Sequence, residues 1–105
     1  MESKNRVDLA GKVSKVREVK YTPSGACLRE LVLAVHHDAQ LEKPSIGYFE
    51  IVFSGEIAQQ KLNGVKIGDW VEVTGSLWNR SFKNREGVSI NETKIIAETL
   101  KHETH

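Results

Sequence analysis

The 105-residue sequence has one cysteine, Cys27. A lone thiol forms no intrachain disulfide and supplies no cysteine-based zinc site, which fits a reducing compartment. No stretch approaches the roughly 18 consecutive apolar residues of a membrane-spanning helix. The start, "MESKNRVDL", lacks the apolar centre of a signal peptide, so a cytoplasmic protein with no membrane contact is expected. Charge of one sign is also scarce: the formal net charge is +1. A strongly basic chain would announce a nucleic-acid partner, and here any such site has to be a local patch. There is no phosphate-binding loop, nucleophile elbow or HExxH helix, and no internal repeat, low-complexity run or linker. One non-enzymatic domain without metal or cofactor is expected, long enough to bury roughly two thirds of its unfolded surface.

What is present is alternation. Apolar residues recur every second position through most of the chain, the signature of half-buried strands. In "NRVDLAGKVSKVREVKY", Val7 and Leu9 share one face, and Val13, Val16 and Val19 follow in a shifted phase. Gly11 lies at the break, as a bulge or bend in a long strand requires. "CLRELVLAVHH" is a second strand whose continuous "LVLAV" implies burial on both faces. "YFEIVFSG", "WVEVTGSLWNRSF" and "VSINETKIIAETL" are the third, fourth and fifth. Between the third and fourth, "SGEIAQQKLNGVKIGD" predicts one helix of about two turns, N-capped by Ser54 and stopped at Gly64. In "YTPSG", Pro23 has its φ preset for the second position of a type I turn and Gly25 suits the fourth. That turn folds the first strand onto the second, and "KNREG" (Lys83 to Gly87) does the same for the last two. Five strands with a helix between the third and fourth is the order of an all-β OB-fold barrel. One such domain over residues 1–105 is expected, its core about 5–100 and residues 101–105 frayed.

Strand parity separates the faces. On the third strand Phe49, Ile51 and Phe53 form the natural core set, which leaves Tyr48 outside beside Glu50. On the fourth, Val71, Val73 and Leu77 form the apolar set. The opposite set is Trp70, Glu72, Thr74, Ser76, Trp78, Arg80 and Phe82, running into a hairpin with Lys83 and Arg85. Aromatics interleaved with cations suit single-stranded nucleic acid, because bases stack on rings while cations track phosphates. Lys20 and Arg29 extend the candidate set. Two alternatives stay open: the aromatics belong to the core, or a bulge at Gly75 reverses the parity beyond it. Trp70 lies eight residues before Trp78, ~26 Å along an extended strand. It cannot serve the same spot and is expected to pack over a barrel end or in a subunit contact.

These residues resemble the OB-fold domain of bacterial single-stranded-DNA-binding proteins. "NRVDLAGKVSKVREVKYTPSGACLRELVLAV" is similar to that family's first two strands, "FEIVFSGEIAQQ" to its third strand and helix start, and "GDWVEVTGSLWNRSF", "REG" and "TKIIAETL" to its last two strands. The resemblance spans about Asn5 to Leu100. It implies binding of single-stranded DNA with little sequence preference, in replication, recombination or repair. It implies base stacking at Tyr48 and Phe82, a basic contact at Arg80, and a homo-oligomer, dimer or tetramer. Three positions depart from the pattern. Ser54 stands where the family usually has an aromatic, the loop "HHDAQLEKPSIG" has none where the family has one, and Trp78 stands where a basic residue is common. The family's long acidic tail, which recruits other proteins, has no counterpart after "LKHETH". A primosomal replication-restart OB protein, a tail-less dimeric relative, is therefore an alternative, with replication or restart proteins as partners. Another is an OB-fold protein-interaction module with weak or no DNA binding, favoured by Glu50, Glu72, Ser54 and the near-neutral charge.

Other constellations carry less. His36 and His37 are adjacent on a strand end and point to opposite faces, a poor metal pair. His102 and His105 pair only if the tail is helical. Cys27 reads as a small inert side chain. Glu50 and Glu72 on one face form a carboxylate pair with no supporting nucleophile.

Overall fold

The computed structural model describes residues 2–37 and 45–103. Six strands run in the order β1 (Val7–Val16), β2 (Lys20–Tyr21), β3 (Cys27–His37), β4 (Ser45–Ser54), β5 (Trp70–Lys83) and β6 (Ser89–Glu103). A five-residue π-helical turn, Ile57–Lys61, lies between β4 and β5. The sheet order is β1-β5-β6-β4-β3-β2, and a further β1–β3 pairing closes five of the strands into a ring. This is the expected OB-fold barrel.

Closure depends on β1 changing partners. Val7–Lys12 pair with Gly75–Trp70 of β5, and Lys12–Val16 pair with Ala34–Leu31 of β3. Gly11 lies at the changeover, where a Cβ would collide with the Ala34 carbonyl oxygen. It is the bend that the sequence implied. The register shift falls later, between Val13 and Lys15. The first strand is also shorter than expected. It ends at Val16, and Lys20–Tyr21 pair separately with Leu28 and Cys27. Val19, expected on the apolar phase, is 42% exposed.

The interior is apolar throughout, with no buried polar or charged residue among the described ones. Leu31, Leu33, Ile51, Phe53, Val71 and Val73 are the inward set of β3, β4 and β5. Val32, between two of them and facing outward, is buried as well, as its continuous apolar run implied. Ala58, Leu62 and Val65 plug the barrel from the helical turn and the segment after it. Ser54 is the last residue of β4 and directly precedes the helical residues. The helical residues run from Gly55 to Lys61, α-helical at Gly55 and Glu56 and π-helical from Ile57, close to the two turns expected, with no side-chain cap bond at Glu56. The backbone carbonyl groups there are met by Leu62 N–H on Ile57 and Asn63 N–H on Gln60.

Both turns form as read. In the first, Gly25 N–H bonds to the Thr22 carbonyl at 2.8 Å, and the Thr22 hydroxyl accepts from Ala26 N–H. In the second, Gly87 N–H bonds to the Asn84 carbonyl at 3.0 Å, while Asn84 Oδ1 accepts from the N–H groups of Glu86 and Val88. The last strand corrects an expectation. Lys101, His102 and Glu103 are not frayed but paired with Glu72, Val71 and Trp70. The reason is a side-chain clip: His102 Nε2 lies 2.9 Å from Asp69 Oδ2.

Gly75 does not invert the faces. Val71, Val73 and Gly75 are all buried, so β5 keeps its alternation. The register shift opposite Thr74 and Gly75 places the extra residue, Glu98, on β6. A Cβ at Gly75 would run into the Ile96 carbonyl oxygen, a backbone atom that cannot rotate away. Gly75→Ala is expected to lower the stability by about 1–3 kcal/mol, the usual cost of overpacking, read as a lower denaturant midpoint with unchanged m.

Candidate nucleic-acid interface

Past Leu77, whose partner Ile95 is the first β6 residue paired with β4, the β5–β6 hairpin runs on as a two-stranded arm, and every β5 residue from Leu77 to Lys83 is exposed. Leu77 was expected in the core and is 50% exposed, because it sits at the barrel rim, opposite the buried Ile95. It lines a recess with Phe49, Thr93 and Ile95, and the same recess reaches Tyr48, Glu50 and Lys94. The Leu77 backbone is tied down at both polar groups by the Asn5 side-chain amide, each bond 2.8 Å long.

On the arm, Trp78, Arg80 and Phe82 form a ladder on one face. The Arg80 guanidinium lies 5.5 Å from the Trp78 ring centroid and 4.8 Å from that of Phe82, within cation–π range of both. Trp78 is 43% and Phe82 39% exposed. Their cross-strand partners are Lys94, Glu92 and Ile90. Tyr48 is 64% exposed and sits on β4 opposite Ala34, on the same outward parity as Glu50. It borders the recess shared with Leu77 and, on its other side, one lined by Ser14, Lys15, Arg17 and Val32.

An ion-pair chain links these two aromatic regions. Arg17 contacts Glu50 at 3.3 Å and Glu30 at 3.8 Å. Lys94 Nζ donates to Glu30 at 2.9 Å and lies 3.2 Å from Glu92 and 3.8 Å from Glu50. Arg80 Nε donates to Glu92 at 2.9 Å. Hydrogen bonds from Arg80 and then Lys94 hold the Glu92 carboxyl below the usual carboxylate range. The Lys94 ammonium is raised, chiefly by its bond to Glu30 and against a smaller desolvation effect. Arg17 and Lys94 escaped the sequence reading. The available signal was parity: Lys94 lies directly opposite Trp78 across the final hairpin.

The expected set is thus only partly assembled. Tyr48, Trp78, Arg80 and Phe82 share the outward surface; Lys83 and Arg85 are exposed at the arm tip, Lys83 on the opposite parity to Phe82. Lys20 is exposed beside Lys15, Val16, Arg17 and Ile67, at the end of the barrel away from the arm. Arg29 has the parity of Leu31, faces Phe53 in register and donates to the Arg17 carbonyl at 3.4 Å. It does not join the ladder. Glu72 pairs with Ala10 and Lys101, far along β5 from Glu50's ion pairs, so the carboxylate pair does not form. The aromatic-free loop falls largely on residues 38–44, outside the described residues, as does His105. His37 lies against the Phe49 ring at 6.3 Å. No cluster of three metal-ligating side chains occurs among the described residues, and no helix of the described residues is long and apolar enough to cross a membrane.

Trp70 is half-buried at the opposite end of the barrel. It lines a recess of about 540 Å³ with Lys12, Lys66, Asp69, His102 and Glu103.

The chain matches the single-strand binding protein family over residues 4–102. It belongs to that family. Among curated relatives, the single-stranded DNA-binding protein of Streptococcus pneumoniae is 28% identical over 99 residues, covering 92% of this chain and 64% of that protein. Single-stranded DNA-binding protein B of Bacillus subtilis is also 28% identical, covering 92% of this chain and 88% of that protein. The single-stranded DNA-binding protein of Halalkalibacterium halodurans is 29% identical, covering 92% and 59%. The chain thus spans about two thirds or less of several of these relatives.

Two stability predictions follow from the two tryptophans and the clip. Trp70→Ala is expected to cost about 1–3 kcal/mol, below the 3–5 of a fully buried tryptophan, whereas Trp78→Ala costs less than about 1. Thermal melts distinguish them. Asp69 is held below its ordinary pKa by the Lys66 amide first and by His102 second. Its contribution is therefore complete above the unfolded carboxylate value and lost as pH falls through the lower, folded one. Asp69→Asn is expected to flatten the acid limb of the stability profile below about pH 4, with the His102 end of β6 reporting the loss in hydrogen exchange.

Proposed function

We propose that the protein binds single-stranded DNA with little sequence preference, in replication, recombination or repair. The Trp78–Arg80–Phe82 ladder carries this reading: two exposed rings flank a guanidinium on one face of a solvent-exposed arm, in a chain of the single-strand binding family. Bases stack on Trp78, Phe82 and, across the recess, Tyr48. Phosphates run along Arg80, Lys83 and Arg85. Stacking reads no base edges, so preferences follow base size and strand flexibility. The relatives' names support single-stranded DNA as the ligand.

A second reading has a specific observation behind it. Glu30, Glu50 and Glu92 lie on the same face, as in an OB domain that engages a protein and has weak or no DNA binding, or in a replication-restart relative. The chain is also proposed to act as a homo-oligomer. Val7–Gly11 pair with β5 alone, which leaves their other side open to a second copy.

Oligo(dT) titration followed by tryptophan fluorescence tests the first reading. Quenching by single strands, and much weaker binding of duplex of equal length, are expected. Trp78→Ala and Phe82→Ala should each weaken binding by about 1–3 kcal/mol. The slope of log affinity against log salt should correspond to roughly two to four phosphates per subunit, at about −0.7 each. Equal affinity for single strand and duplex would overturn the reading in favour of the second. Light scattering that reports a monomer at micromolar concentration would remove the oligomer.

A further inference from the structure

We propose that Glu92 sets the affinity of the single-strand surface: its carboxylate occupies Arg80 and Lys94 in the position of a backbone phosphate, and a bound strand takes that position. This rests on the functional reading above and names how that surface is regulated.

Both oxygens of Glu92 are engaged, Oε2 with Arg80 Nε at 2.9 Å and Oε1 with Lys94 Nζ at 3.2 Å. Carboxylate and phosphate offer a guanidinium the same pair of anionic acceptors. The place is also the one a strand needs. Arg80 lies between the Trp78 and Phe82 rings, so a strand whose bases stack on those rings runs its backbone past Arg80 and meets Glu92 there. Behind it, Glu30 and Glu50 hold Lys94 and Arg17. Three carboxylates, Glu30, Glu50 and Glu92, thus balance three cations, Arg17, Lys94 and Arg80, along this chain. Lys83 and Arg85, by contrast, have no ion pair among the described residues.

The consequence is electrostatic. A phosphate that displaces or crowds Glu92 gains Arg80 at the expense of like-charge repulsion. Its contact adds little counterion release, because the cation was already neutralised. Removing the Glu92 charge leaves one uncompensated cation at the centre of the path.

Glu92→Gln tests this, since the amide keeps the shape and an oxygen that accepts from Arg80. Wild type, Glu92→Gln and Glu98→Gln are titrated with oligo(dT) over a range of salt, with a thermal melt for each. Glu98 is exposed at the β6 bulge, six residues along the strand from Glu92 and in none of its ion pairs, and controls for net charge alone. Glu92→Gln is expected to bind about three- to tenfold more tightly at low salt and to steepen the salt slope by about 0.7, one phosphate on a single strand. Glu98→Gln should keep the wild-type slope. Should Glu92→Gln not fold, Glu50→Gln, which loosens Arg17 and Lys94 instead, should shift affinity and slope in the same direction. Wild-type binding with an unchanged slope, weaker binding by the variant, or equal steepening in Glu98→Gln would overturn the inference alone. Absence of binding by every protein at low salt would remove the functional reading, and the inference with it.

Discussion

The fold turns on one strand serving two partners. β1 gives its first half to β5 and its second to β3, and only this double pairing converts an open sheet into a barrel. A closed barrel has an inside, so the alternate residues of β3, β4 and β5 acquire a shared destination in Leu31, Leu33, Ile51, Phe53, Val71 and Val73. The strand can do this only by passing very close to the β3 backbone, and Gly11 is the residue that permits it, with no side chain to strike the Ala34 carbonyl.

The same closure creates the outer surface. Because β6 joins β4 only from Ile95 onward, β5 beyond Leu77 has no core to cover, and its residues to Lys83 are all exposed. An exposed tryptophan and phenylalanine there are not accounted for by packing against the barrel. They are held apart by an arginine that contacts both rings. The neighbouring carboxylates keep that arginine, Lys94 and Arg17 ordered at the cost of the surface's positive charge. Under the proposed function, such a compromise suits a flexible polyanion that must also be released: rings would contribute attraction that salt does not screen, and the ion-pair chain would moderate the part that salt does screen.

Much of this was legible in the sequence because strands and turns are local. The apolar run around "LVLAV" placed β3 with its observed bounds, the Thr22–Gly25 and Asn84–Gly87 turns formed where their residues demanded, and the parity of Trp78, Arg80 and Phe82 held. What was misread depends on where the barrel stops. Leu77 has the parity of Val73 but lies past the end of the core. Arg29 is cationic and near the right strands, yet faces the other way. Lys101–Glu103 looked like a terminus, and an aspartate 33 residues earlier holds them in the sheet.

By itself, then, the sequence determined the strand order, the turn chemistry, the face on which the aromatics lie and the family to which the chain belongs, because each is written in short-range spacing or in a pattern spanning nearly the whole chain. Only the tertiary structure decided which cations accompany those aromatics. Arg17, Glu30, Glu50, Lys94, Glu92 and Arg80 come from five separate segments, and side chains that far apart become neighbours only when β3, β4, β5 and β6 lie side by side. Charge is counted along a chain but felt across a surface. A composition near neutrality leaves undetermined whether a patch is basic, and the register of the strands made this one balanced.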